Sequence, residues 1–286
     1  MSTAGQPIEL MAGLGLVVTV VAAVRSTWSP CGLSMLSSIT PVAEQGRGHR
    51  FRSTALWFVA GAVVGGAMLG GVMAALAVAV RWFALPGVAA VSVVMVVAAI
   101  TALSDSGVSS HRLPFHGRQV NERWLDQYRS WVYGAGFGCQ IGCGLATYIV
   151  TAGVYLMIVL GALSGDPWVA LGLGTLFGLV RGLAVFASRK VHDPASLRSL
   201  HLRLTRLDPL SAVVTVATQL AATVVAAGWI LLNLGGTAGD SAGSWSPASV
   251  LVVAVVATGA VAVVLSVGWA VVSHRRRSPV ELPNRA

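Results

Sequence analysis

Ser29-Pro30-Cys31-Gly32-Leu33-Ser34-Met35-Leu36-Ser37-Ser38-Ile39-Thr40-Pro41 lies inside the first long apolar run of the chain, 10–41. A proline is out of place there. Pro30 removes a backbone donor and crowds the preceding turn, and Pro41 repeats this eleven residues on. In hydrocarbon every carbonyl so freed must find another partner. A membrane helix broken twice, with a thiol beside the first break, reads as a site. The plain alternative is a Pro-kinked helix with an inert buried cysteine, since free Cys packs well as a small hydrophobe.

Working outward, the composition sets the class. The chain has 286 residues, 55% of them apolar and only 10% charged, against roughly a quarter charged in soluble domains. Several apolar runs reach the roughly 20 residues needed to cross a bilayer. The expected fold class is all-α: a polytopic membrane helix bundle of about seven spans, at 10–41, 54–80, 88–104, 132–163, 168–187, 210–234 and 247–273. No cleavable signal peptide is expected, because no basic stretch precedes the first apolar run. Three cysteines are too few for a disulfide framework.

Basic residues orient the spans. The segments 42–53, 105–131, 188–209 and the tail after 273 hold sixteen of the nineteen Lys and Arg, whereas 81–87, 164–167 and 235–246 hold only Arg81. This predicts a multi-pass cell-membrane protein with its N-terminus outside and its C-terminus cytoplasmic. The net charge of +9 is then topological. It calls for no nucleic acid, and the expected surrounding partner is the lipid bilayer.

With that orientation spans 1–3 start outside and spans 4–6 start inside, the layout of an inverted repeat. The expected organisation is a first three-helix half (1–104) and a cytoplasmic loop with an amphipathic helix (105–131). A second three-helix half (132–234) and an extra transmembrane helix with a basic tail (235–286) complete it. Span 4 is also long. Between Tyr133 and Thr147 it carries Gly134, Gly136, Gly138, Gly142 and Gly144, beside Cys139 and Cys143. Glycine weakens a helix, so an interruption is expected in span 4 as in span 1. Interrupted segments at matching positions of two halves point to the functional site.

Other features have ordinary readings. Gly61-x-x-x-Gly65, Gly66-x-x-x-Gly70 and Gly174-x-x-x-Gly178-x-x-x-Gly182 are expected to pack helices together. Trp124, Leu125, Tyr128, Trp131 and Val132 recur at helical spacing, as in an interfacial helix. Glu122 and Asp126 pair more naturally with Arg123 or Arg129 than as two catalytic acids. His111 and His116 lack a third ligand, so no metal and no other cofactor is expected. Arg181 has a route to the cytoplasmic surface by extending its stem. Arg25, six residues before Cys31, would favour the thiolate if near it.

Cys31 in one half, with Cys139 and Cys143 in the other, can meet at the midplane and support thiol–disulfide exchange. Either residue of the second pair could face Cys31. Here Ser29-Pro30-Cys31-Gly32-Leu33 with Pro41, and Gly136-Phe137-Gly138 with Cys143-Gly144, resemble the two cysteine motifs of the cytochrome c biogenesis and disulfide-reductase membrane family (CcdA and the central domain of DsbD). The resemblance implies redox cysteines at Cys31 and Cys143, with Pro30 as the motif proline. It also implies a thioredoxin-like cytoplasmic donor and an extracytoplasmic thiol acceptor. Gly142 stands where that family has a second proline, and Cys139 is an additional thiol. The methylamine-utilisation membrane proteins share the general plan, which makes a maturing periplasmic enzyme the other candidate acceptor. The resulting expectation is an integral membrane thiol–disulfide electron carrier, a possible oxidoreductase, with Cys31, Cys143 and Cys139 reacting and Pro30, Arg25, Pro41 and Gly142 in support. The alternatives are a small-solute or metal-ion transporter on the same scaffold, with Arg25 as substrate counter-charge, or a non-catalytic membrane assembly factor.

Overall fold

In hydrocarbon a helix is the simplest way for a single segment to satisfy its own backbone, and helices are what the apolar runs become. A computed structural model describes residues 5–107, 127–145 and 149–235, and every regular element among them is helical. The first apolar run forms α1 (Gly5–Arg25), a 3-10 turn (Ser26–Trp28), α2 (Pro30–Ser38) and α3 (Pro41–Gly46). Next come α4 (Phe51–Trp82) and α5 (Gly87–Ser106). The fourth expected span is α6 (Ser130–Gly142) and α7 (Gly153–Leu163), with an interruption between them. α8 (Pro167–Leu183), continued by a 3-10 stretch (Ala184–Lys190), and α9 (Pro194–Gly235) complete the described chain.

Five stretches are long and apolar enough to cross a membrane, and α7 is a shorter apolar helix. The protein is a helical membrane bundle. On α4, Val64, Met68 and Val72 are each more than half exposed at a spacing of four, a stripe suited to lipid. The expected seventh span and the centre of the 105–131 loop, with His111, His116, Glu122 and Asp126, lie outside the described residues.

α4 is the spine of the bundle and packs along both α6 and α8. A β-carbon on Gly65 would come 2.1 Å from the carbonyl oxygen of Cys139, and one on Gly178 would come 2.1 Å from that of Ala62. The backbones touch because no side chain intervenes. Gly138 and Gly142 meet α4 in the same way, at Phe58 and Ala62. This corrects one expectation. The glycines up to Gly142 do not interrupt span 4; Gly134, Gly138 and Gly142, spaced four apart, form the packing face of a regular helix. The interruption follows them.

A second correction concerns 188–209, read as a loop. Pro194 to Asp208 is the first part of α9, a 42-residue helix with Pro209 inside it. At about 1.5 Å per residue this helix exceeds the bilayer, and its early turns serve as a buttress for the broken first span. The indole N–H of Trp28 donates to the Leu204 carbonyl at 2.8 Å, and Ser37 Oγ lies 3.0 Å from His201 Nε2. A pattern interrupted by Arg198, Arg203 and Arg206 and followed by Pro209 looks like a loop, but packing against the first span holds it helical. At the opposite end, the segments around Pro7, Arg81–Leu85, Leu163–Trp168 and Trp229 surround a cavity of about 920 Å³.

Candidate functional site

Pro30 and Pro41 each occupy the first turn of a new helix, where a missing N–H is harmless. The residue before each is extended and caps the helix: Gly32 N donates to Ser29 Oγ at 3.0 Å, and Ala43 N to Thr40 Oγ1 at 3.2 Å. The prolines therefore mark two starts rather than two kinks. Gly32 is required by the turn, since a β-carbon there would lie 2.4 Å from the Thr27 carbonyl oxygen. The carbonyls released by the breaks find side-chain donors. Arg47 donates to Ser38 O at 3.0 Å, and Ser188 Oγ donates to Ile39 O at 2.8 Å.

The second interruption is built differently. α6 ends at Gly142 with Cys143 as its cap, and Gly144 takes a left-handed φ of +70°. The chain re-enters at Thr151 and Ala152, held by Asp105 of α5. Thr151 Oγ1 donates to Asp105 Oδ2 at 2.6 Å, Ala152 N to Oδ1 at 2.9 Å, and Gln219 Nε2 of α9 to Oδ2 at 2.8 Å. Asp105 thus serves as a cap in trans for α7, a carboxylate at the positive end of a helix.

Arg181, late in α8, joins the two interruptions. It is 4% exposed and does not reach the surface, contrary to its expected route. Its Nη1 donates to the Ile141 carbonyl at 2.7 Å, and its Nη2 to the Ser26 carbonyl at 3.4 Å. The Phe177 ring lies under the guanidinium at 5.6 Å, a cation–π arrangement. Arg181, Gly32, Met35, Phe58 and Ile141 share a cavity of about 20 Å³, room for about one water.

Of the expected site residues, Cys31 is buried and directly precedes Gly32, which lines this cavity. Cys143 caps α6, two residues after Ile141, whose carbonyl Arg181 holds. The Cys139 sulfur lies 4.0 Å from the sulfur of Met68 on the exposed stripe. All three are free thiols. Gly142 packs on Ala62, where a pyrrolidine ring would not fit. Arg25 is bound to Asp208 and, at 2.7 Å, to Ser211 Oγ. These bonds fasten α1 to α9. Pro41 opens α3, which carries Glu44.

Sequence reading missed Glu44. Its fully buried carboxylate accepts from Thr54 Oγ1 at 2.5 Å, from Tyr133 Oη at 2.7–2.8 Å, and from Arg47 at 3.2 Å. It ties α3, α4 and the start of α6 together. In sequence it follows Pro41 in a short polar segment and carries no periodic signal. Among the described residues no group of three or more His, Cys, Asp or Glu could hold a metal ion.

The chain is similar to methylamine utilisation proteins named MauF. It is 31% identical over 196 residues to the MauF of Paracoccus denitrificans, covering 65% of this chain and 66% of that protein. It is 27% identical over 182 residues to the MauF of Methylophilus methylotrophus, covering 61% and 62%. For the MauF of Paracoccus versutus the figures are 29% over 174 residues, covering 56% and 59%. The chain thus spans just under two thirds of the length of the curated relatives it matches. These relatives are methylamine-utilisation proteins, not the cytochrome c biogenesis proteins whose cysteine motifs the sequence resembles. No family model and no solved structure matches.

Proposed function

We propose that this protein is a membrane accessory protein of an amine-utilising system that carries reducing equivalents across the membrane for the maturation of an extracytoplasmic enzyme. The observation that carries the reading is the approach of two interrupted spans, each with a cysteine at its break, to a single buried arginine. Interrupted spans at corresponding places are where membrane carriers place their sites. The similarity to MauF supports the accessory role and the class of acceptor.

Cys31 and Cys143 are the proposed pair. Their disulfide is attacked by a thiolate of a cytoplasmic dithiol protein of the thioredoxin type. A mixed disulfide forms, and the donor's second thiol displaces it. The donor leaves oxidised, and this protein holds two thiols, having gained two electrons and two protons. The same two thiols then reduce a disulfide in the acceptor on the far side and return to the oxidised form. Two pairs of helices that would be counterparts in an inverted repeat pack on each other, α4 on α8 and α5 on α9. This supports a carrier that opens to either side.

Thiol alkylation with mass shift tests the reading on purified protein and on Cys31→Ser, Cys139→Ser and Cys143→Ser. The expected result is a reversible disulfide that disappears in Cys31→Ser and Cys143→Ser and survives in Cys139→Ser. Three free thiols under oxidising conditions, with all three variants functional in a cell growing on the amine, would overturn it.

A further inference from the structure

A buried cation within a membrane bundle is costly even after relaxation. The other two arginines bound to acids in the described structure are Arg25, with Asp208, and Arg47, with Glu44. Among the described residues no Asp or Glu lies within salt-bridge distance of Arg181. Its guanidinium donates to two backbone carbonyls, one from each interrupted span. Serine hydroxyls satisfy comparable carbonyls elsewhere in the same bundle, as Ser188 does for Ile39. Carbonyl satisfaction alone does not require a charge at this place.

We infer that Arg181 is a positioning residue for thiol exchange: its planar fork holds the Ser26 turn and the end of α6 in one register. Cys31 stands five residues beyond the first held carbonyl and Cys143 two beyond the second, so this register sets how the two thiols can approach. Three independent observations converge on it. The fork donors are aimed at both breaks. Gly32, the neighbour of Cys31, and Ile141, two residues before Cys143, line the cavity with Arg181. Phe177 and the surrounding burial fix the guanidinium in place. Other ionisable groups on the neighbouring elements are engaged elsewhere. Glu44, Arg47 and Tyr133 bind each other, His201 meets Ser37, and Arg189 and Lys190 are exposed.

The inference rests on the redox reading above, and the experiment separates the two. Full-length protein with Cys139→Ser is equilibrated in detergent against glutathione and its disulfide. The fraction holding a Cys31–Cys143 bond is read by mass, alongside the thermal unfolding midpoint. Arg181→Met is expected to shift the equilibrium toward the dithiol by about tenfold or more, as loosened register lowers effective concentration. Arg181→Lys, which keeps the charge and loses the fork, is expected to fall between. Arg25→Met, which breaks a different tether, should lower the unfolding midpoint without moving the equilibrium. An unchanged equilibrium in folded Arg181→Met overturns the inference. If the parent never forms the bond, the redox reading fails. A short bifunctional thiol cross-linker between Cys31 and Cys143 then decides the positioning role. High yield in the parent and low yield in Arg181→Met supports it, and equal yields overturn it. Should Arg181→Met fail to fold, the comparison is made on Arg181→Lys in the same assays.

Discussion

Ser29 shows how a single hydroxyl makes a break tolerable. It caps α2 through Gly32 N, and removing such a cap costs about 1 kcal/mol. Ser29→Ala is expected to lower the unfolding midpoint modestly, whereas Gly32→Ala should lower it further, because its β-carbon meets the Thr27 carbonyl at 2.4 Å. Calorimetry or a thermal-shift assay in detergent would read both. Two buried hydroxyls give a sharper contrast. Tyr133 donates to the Glu44 carboxylate, so Tyr133→Phe should destabilise by about 2 kcal/mol, the range for hydrogen bonds to charged groups. Thr19 Oγ1 is buried with no partner among the described residues. Thr19→Val is therefore expected to be neutral or mildly stabilising, and a loss as large as that of Tyr133→Phe would contradict this account. At this scale the sequence showed the cysteines and prolines plainly. It did not show Glu44 or the importance of Arg181, since a lone charge says nothing about what folds over it.

Among elements, α4 sets the geometry. Its glycines present a smooth surface to α6 on one side and α8 on the other. Gly65→Ala would push a methyl into the Cys139 carbonyl, and overpacking of this kind costs about 1–3 kcal/mol or more. Gly71, one turn and a half further on, has nothing within 4 Å of its absent β-carbon. Gly71→Ala should be neutral or stabilising by about 1 kcal/mol from helix propensity. Measuring the two variants together distinguishes packing from propensity, and equal effects would refute the packing assignment. The small-residue spacing was legible in the sequence. Which helices it joined was not, because the pattern is the same whichever neighbour fills it.

For the whole molecule, the testable claim is orientation. The segments around residues 48 and 192 belong to the basic end of the bundle, and those around 84 and 165 belong to the end with the large cavity. In a protein freed of native cysteines, single cysteines at 84 and 165 are expected to react with a membrane-impermeant reagent added outside intact cells. Those at 48 and 192 should react only after lysis. The reverse pattern would exchange the donor and acceptor sides of the proposed carrier.

The sequence by itself determined the helical membrane bundle, the break in span 1 at Pro30 and Pro41, and the fact that span 4 is also interrupted. Hydropathy, proline and spacing are local quantities, and the bilayer leaves a backbone few other solutions. Only the tertiary structure decided that residues 194–208 are helix, that Arg25 belongs to Asp208, that Cys139 meets Met68, and that Arg181 stands between the breaks. Those outcomes depend on contacts between residues up to 183 positions apart in the chain. In hydrocarbon the partner of a freed carbonyl or a buried charge is whichever group the folded bundle brings to it.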